Sequence, residues 1–227
     1  MYEGRTMKTT KTSTVTRFAA TALCALLASC TTPQPATQDV DAATREVIRN
    51  SFRSQGAATL DRLAQASDTS NQLCSSAEGK ALNATIAKAI EEANLKTVKL
   101  PSDGRYIGDW REGERIAQNG RGMTWTDSAG SQNGGSCYNC HQISKAELSF
   151  GTIGPSLYNY GKLRGVADPA APAAKPIVEY TWGKLWNSKG SNACSDMPRF
   201  GHAGILNEQQ LRDVMALLLD PKSPVNE

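Results

Sequence analysis

A mainly α-helical fold is what this 227-residue sequence predicts, and three observations predict it. From Asp41 to about Leu100 apolar residues recur at helical spacing. Near the C-terminus, Asn207 and Gln210 form a capping-box pattern ahead of an apolar stripe that Pro221 stops. Between these lies Cys137-Tyr-Asn-Cys140-His141, whose spacing suits a single helical turn and around which no β-α-β pattern is found.

The N-terminal residues read as an export signal, covering 1–29. Lys8, Lys11 and Arg17 make a positive start, and Phe18 to Ala28 is an apolar run too short to span a bilayer. Met7 would serve as a start as well as Met1. The run ends in Leu27-Ala28-Ser29-Cys30, which resembles a bacterial lipobox, the site where a signal peptidase cleaves and Cys30 receives lipid. An ordinary signal peptide that happens to hold a cysteine is the alternative. Residues 30–40, with Thr, Pro and Gln over Thr31 to Gln38, read as a flexible tether. Of 25 basic and 22 acidic residues, the signal holds four and one, leaving 21 of each in the mature chain. That neutrality argues against nucleic acid as a partner and leaves membrane association to the lipid anchor.

Residues 41–100 read as a helical extension. Val47, Ile48 and Phe52 make one stripe, Leu60, Leu63 and Ala64 another, and Leu82, Ile86, Ala89, Ile90 and Ala93 a third. Nothing in this extension looks catalytic, so its role is packing or partner contact. Pro101-Ser-Asp-Gly104 breaks the pattern and opens the second domain, 101–227. There Asp109 to Gln118 predicts a helix, Asn119 to Ser136 a glycine-rich loop, and Ala167 to Pro176 an Ala/Pro-rich surface insertion. Leu211, Val214, Met215 and Leu218 line one face of the last helix.

The chemistry is concentrated at residues 137–141. C-x-x-C-H is the attachment pattern of one covalently bound haem c: Cys137 and Cys140 would form thioethers, and His141, on the same face, would ligate the iron. A thioredoxin-like pair would need a β-α-β setting, and a zinc site four ligands at paired spacing, which Cys74, Cys194 and His202 do not supply. Helix, haem motif, ligand loop and helix in this order give the expected fold: a class I cytochrome c with an N-terminal helical extension. Met197 is the favoured sixth ligand, because it sits in the loop before the last helix and Pro198 holds it extended. His202 is the alternative. Met123 lies in a glycine-rich loop, and Met215 belongs to a core stripe. Tyr160, Tyr180, Trp182 and Trp186 would pack the porphyrin and core, while Arg164 and Arg199 could pair with its propionates, exposed solvated arginines being the default reading.

Export also shapes the cysteine chemistry. With Cys24 lost, Cys30 lipidated and two thiols on haem, Cys74 and Cys194 remain to pair as a disulfide in an oxidising compartment. A redox-active Cys194, three residues before Met197, is the alternative.

Four stretches resemble the SoxX family, the haem subunit of the SoxAX cytochrome complex of bacterial sulfur oxidation. They are Gly108-Asp-Trp-Arg-Glu-Gly-Glu-Arg-Ile-Ala117, Gly135-Ser-Cys-Tyr-Asn-Cys-His-Gln142, Tyr158-Asn-Tyr-Gly-Lys-Leu-Arg-Gly165 and Asn192-Ala-Cys-Ser-Asp-Met-Pro-Arg-Phe-Gly-His202, with the tail from Glu208 to Asn226. The resemblance implies a periplasmic heterodimer with a SoxA-type dihaem or monohaem subunit. That complex couples thiosulfate oxidatively to a cysteine of a SoxYZ-type carrier, an L-cysteine S-thiosulfotransferase reaction. This chain would accept the electrons and pass them to a downstream cytochrome c. It also implies Cys137 and Cys140 as haem anchors and His141 and Met197 as axial ligands, with no catalytic residue in this chain. A stand-alone lipid-tethered carrier is the competing reading, and a structural metal-binding module a distant third.

Overall fold

The computed structural model describes residues 40–128 and 130–227. The signal at 1–29, the lipidation candidate Cys30 and the tether through Gln38 lie outside the described residues. Among the described residues there are eight α-helices and no strand beyond an isolated bridge between Gln55 and Ala58. None of these helices is long and apolar enough to cross a membrane.

The chain divides into two compact units, one ending at Ser51 and one running from Phe52 to Glu227. The first contributes α1 (Val40–Ser51), with Asp41 in its first turn and Arg49 in its last, each at the helix end whose dipole it offsets. All later elements belong to the second: α2 (Leu60–Ala66), α3 (Thr69–Ser76), α4 (Ala84–Leu95), α5 (Trp110–Gln118), α6 (Tyr160–Leu163), α7 (Lys175–Trp186) and α8 (Glu208–Leu219).

Helix α8 is the centre of this unit. Asn207 accepts from the Gln210 N–H at 2.9 Å, and Gln210 reaches back to the Asn207 N–H at 3.1 Å, so two donors at the helix start are satisfied. Leu211, Val214, Met215 and Leu218 are buried, as the stripe requires, and so are Ala216, Leu217 and Leu219. Each large side chain so buried stabilises the fold by roughly 1.5–3 kcal/mol. Met215 is fully enclosed, which leaves its sulfur to packing.

Helix α5 crosses α8 at close range because glycines sit at the crossing. A Cβ on Gly113 would lie 2.1 Å from the Asp213 carbonyl oxygen and 2.9 Å from Leu217 Cβ. The Gly108 N–H donates to the Arg212 carbonyl at 2.9 Å, and the Asp109 N–H to Asp213 Oδ1 at 2.9 Å. Asp109 also caps α5 by accepting from the Arg111 N–H.

The stretch 167–176 lies largely at the surface as expected, but Ala174 is buried and the chain already enters α7 at Lys175, with Pro176 in its first turn. Proline has no N–H to lose there and its φ is already helical. Val178, Thr181, Trp182 and Leu185 then turn inward together. The Trp182 indole donates to the Lys99 carbonyl at 2.8 Å, and its ring meets Tyr106 edge-on at 5.5 Å.

The extension packs onto the loop between α7 and α8. Buried Asn187 donates to Asn94 Oδ1 at 3.0 Å and to Thr97 Oγ1 at 2.9 Å, while Gly190 lets the backbone at Leu95 approach. These polar groups are satisfied where water is excluded, which fixes the register of α4 on the loop.

Candidate haem site

Cys137–Asn139 forms a 3₁₀ turn, entered through Ser136 in a left-handed conformation at φ 51°. The Cys140 N–H and the His141 N–H both reach the Cys137 carbonyl, at 3.1 and 2.9 Å. With three residues per turn, positions three apart eclipse, so Cys137 and Cys140 share one side of the turn. Between them Tyr138 points into the core, its hydroxyl bonded to Glu114 Oε1 at 2.9 Å and Ser144 Oγ at 3.1 Å. That anchors the turn to α5. The segment after it is laced back by the Gly151 N–H to the Tyr138 carbonyl and the Gly154 N–H to the Cys140 carbonyl, both 2.8 Å.

His141 has its tautomer set by this lacing. Its Nδ1 lies 2.7 Å from the Pro155 carbonyl oxygen, which can only accept. The proton therefore sits on Nδ1, and Nε2 presents a lone pair. Gly154 makes this possible: a Cβ there would fall within 2.1–2.7 Å of three ring atoms. An imidazole oriented by a backbone carbonyl is the usual state of a metal-ligating histidine.

Cys137 and Cys140 form no disulfide with each other or with another cysteine among the described residues. Burial pushes the Cys137 thiol up to about 12, the opposite of what a dithiol nucleophile needs. Among the described residues no group of three or more His, Cys, Asp or Glu side chains is placed to hold a metal ion. A zinc cage and a thioredoxin-like pair both fit these residues badly.

Met197 packs against the hydrophobic core. Its backbone is pinned from both sides, since its carbonyl accepts from Ser188 Oγ at 2.6 Å and its N–H donates to Ser195 Oγ at 3.3 Å. Met123 is engaged elsewhere: its sulfur accepts from Arg62 at 3.5 Å and from Asn133 at 3.0 Å. His202 is exposed at the surface, yet partial desolvation of its ring and the Arg199 charge depress its pKa. Trp186 stacks on Trp182 and lies flat against Gly201, four residues beyond Met197. Its buried indole N–H has no partner among the described residues, an orphan donor that suits a haem propionate oxygen. The two arginines proposed for that role are placed otherwise. Arg164 stacks over Tyr160 at 3.7 Å, and Arg199 pairs with Asp68 at 2.5 Å. Tyr160 and Trp182 are core residues, whereas Tyr180 is half exposed.

Cys74 and Cys194 are joined by a disulfide that spans 120 residues and ties α3 to the Met197 loop. Asp68, which caps α3, holds Arg199 on the same loop, and Glu91 accepts from the Ala193 N–H at 3.2 Å. The Cys74–Cys194 pairing was expected from the cysteine count, whereas the Asp68 and Glu91 contacts were not legible beforehand, because each joins residues more than a hundred positions apart. A disulfide of this kind persists in oxidising compartments and points to a location outside the cytoplasm.

The chain is similar to a protein of Aquifex aeolicus (strain VF5) described as an uncharacterized lipoprotein. The two are 35% identical over 144 residues, which is 63% of this chain and 64% of that relative's length. No family model matches the chain.

Proposed function

We propose that this protein is a c-type cytochrome of class I, the SoxX-like electron-transfer subunit of a complex that couples thiosulfate to a carrier-protein cysteine. The observation that carries the haem reading is the His141 geometry: a C-x-x-C-H turn whose imidazole is fixed by Pro155, with Nε2 left to donate. Haem, when bound, supplies a one-electron couple. Cys137 and Cys140 would hold it covalently, and His141 and Met197 would ligate its iron. Pro198 and the Ser188 bond keep the Met197 backbone in place, and the Trp186 N–H offers a propionate its donor. His/Met ligation leaves no open position for substrate and raises the reduction potential, which suits an acceptor of electrons rather than a site of sulfur chemistry.

The SoxX-like reading rests on the four sequence blocks. The apolar side chains Leu148 (88% exposed) and Ile153 (80% exposed), on the stretch laced to the haem turn, support a docked partner close to the cofactor. The description of the Aquifex relative as a lipoprotein supports Cys30 as the lipid anchor, with the protein tethered on the periplasmic side of a membrane. A stand-alone tethered carrier is the second reading. Gentle affinity purification from membranes of thiosulfate-grown native cells separates them. A second cytochrome in equal amount is the expected result; a single haem-bearing chain retained alone at low salt would favour the independent carrier.

A further inference from the structure

A cavity of about 690 Å³ lies between the end of α3 and the Met197 loop, and nothing above uses it. Its wall includes Lys80 on one side and Lys189, Asp196 and Arg199 on the other. Lys189 sets its chemistry. Only 5% of this residue is exposed, and its ammonium donates to the Ala193 carbonyl at 3.2 Å. It belongs to none of the ion pairs among the described residues. A buried ammonium without a paired carboxylate is costly. Burial and the neighbouring Arg199 guanidinium both act against its charge, with Asp68 and Asp196 offsetting part of that.

Arg199 brings a second cation, held in place by Asp68 Oδ2 at 2.5 Å. Lys80 stands exposed at the rim. Three cationic residues and one anionic residue thus line the cavity, and with Asp68 counted against Arg199 an excess of positive charge remains. We infer that this cavity binds a small oxyanion of the sulfate type, between Lys189, Arg199 and Lys80. A water takes about 30 Å³ of liquid volume, so the ion enters with part of its hydration shell rather than bare. The negative charge offsets the Lys189–Arg199 repulsion and bridges the extension to the Met197 loop. Binding to the folded state alone then stabilises the fold in proportion to the logarithm of the anion concentration. The inference rests on these cationic residues and not on haem chemistry, although Met197 also lines the cavity.

The test is calorimetric titration of the purified full-length protein with sodium sulfate, at ionic strength held constant with sodium chloride, paired with melting curves across the same range. The expected result is saturable binding of one ion per chain and a melting temperature that climbs with sulfate. Lys189→Met weakens binding tenfold or more and Lys80→Met severalfold. Lys88→Met, at an exposed lysine of α4 paired with Glu92, leaves it unchanged. Heat that never saturates overturns the proposal, as does wild-type affinity in Lys80→Met or an equal loss in Lys88→Met. Should Lys189→Met not fold, Lys189→Arg, which keeps the charge, must retain binding while Lys80→Met loses it.

Discussion

His141 is the residue on which the haem reading turns, and Gly154 is what lets it stand where it does. Gly154→Ala places a methyl group inside the space of the imidazole ring, so the ring must leave the Pro155 carbonyl or the backbone must shift. We expect a destabilisation of about 1–3 kcal/mol and a reduced haem content, read by thermal melting and by haem absorbance per polypeptide. Met197→Ala is predicted to keep haem attached, open the iron to added carbon monoxide or imidazole, and lower the potential. Wild-type resistance to these ligands in the variant would reject Met197 as a ligand. Asp68 tests the clamp on the same loop. Burial raises its pKa, but the Asn71 N–H and the Arg199 guanidinium outweigh that and leave it lowered. A lowered folded pKa contributes stability above the unfolded value of about 3.9 and loses it as pH falls through the folded value. Asp68→Asn keeps a good cap and removes the charge, so it should cost about 1 kcal/mol at pH 7. That deficit should shrink toward zero below pH 4; a gap unchanged with pH would count against the ion pair.

Among elements, those with a local signature were readable in advance. Helix α8 announced itself through Asn207, Gln210 and Pro221, and α5 through Asp109, since caps and stops act over a few residues. Helix α7 was missed, although Val178, Thr181, Trp182 and Leu185 carry its spacing. Ala/Pro-rich residues before it and the glycine within it masked the period, and Pro176 belongs to the start of the helix rather than to a loop. The Cys74–Cys194 bridge joins α3 to the Met197 loop. Closing a loop of this length is worth about 4–5 kcal/mol in the chain-entropy estimate. Replacing both cysteines with serine should lower the melting temperature strongly while leaving haem attachment intact. An unchanged melting temperature would show that the bridge contributes nothing to the fold.

At the scale of the whole molecule, composition and motif made a helical, exported protein legible, together with the Cys137–His141 turn as the candidate site. Apart from the Cys74–Cys194 pairing, what they could not supply was the relation between distant parts. The part of the extension from Phe52 onward packs onto the loop that carries Met197, through Asp68, Cys74, Glu91 and Asn94. No periodicity encodes such pairings, because they depend on how the chain returns on itself. The orphan Trp186 N–H was equally invisible, since its lack of a partner is a property of packing. The proposed function turns on one claim, that Cys137 and Cys140 carry haem. The measurement that tests it most directly is the intact mass of the denatured protein, purified from cells that attach haem to their other exported cytochromes. The account predicts the mature polypeptide plus one haem, lost in Cys137→Ser/Cys140→Ser. A polypeptide with two free thiols and no added mass would contradict it.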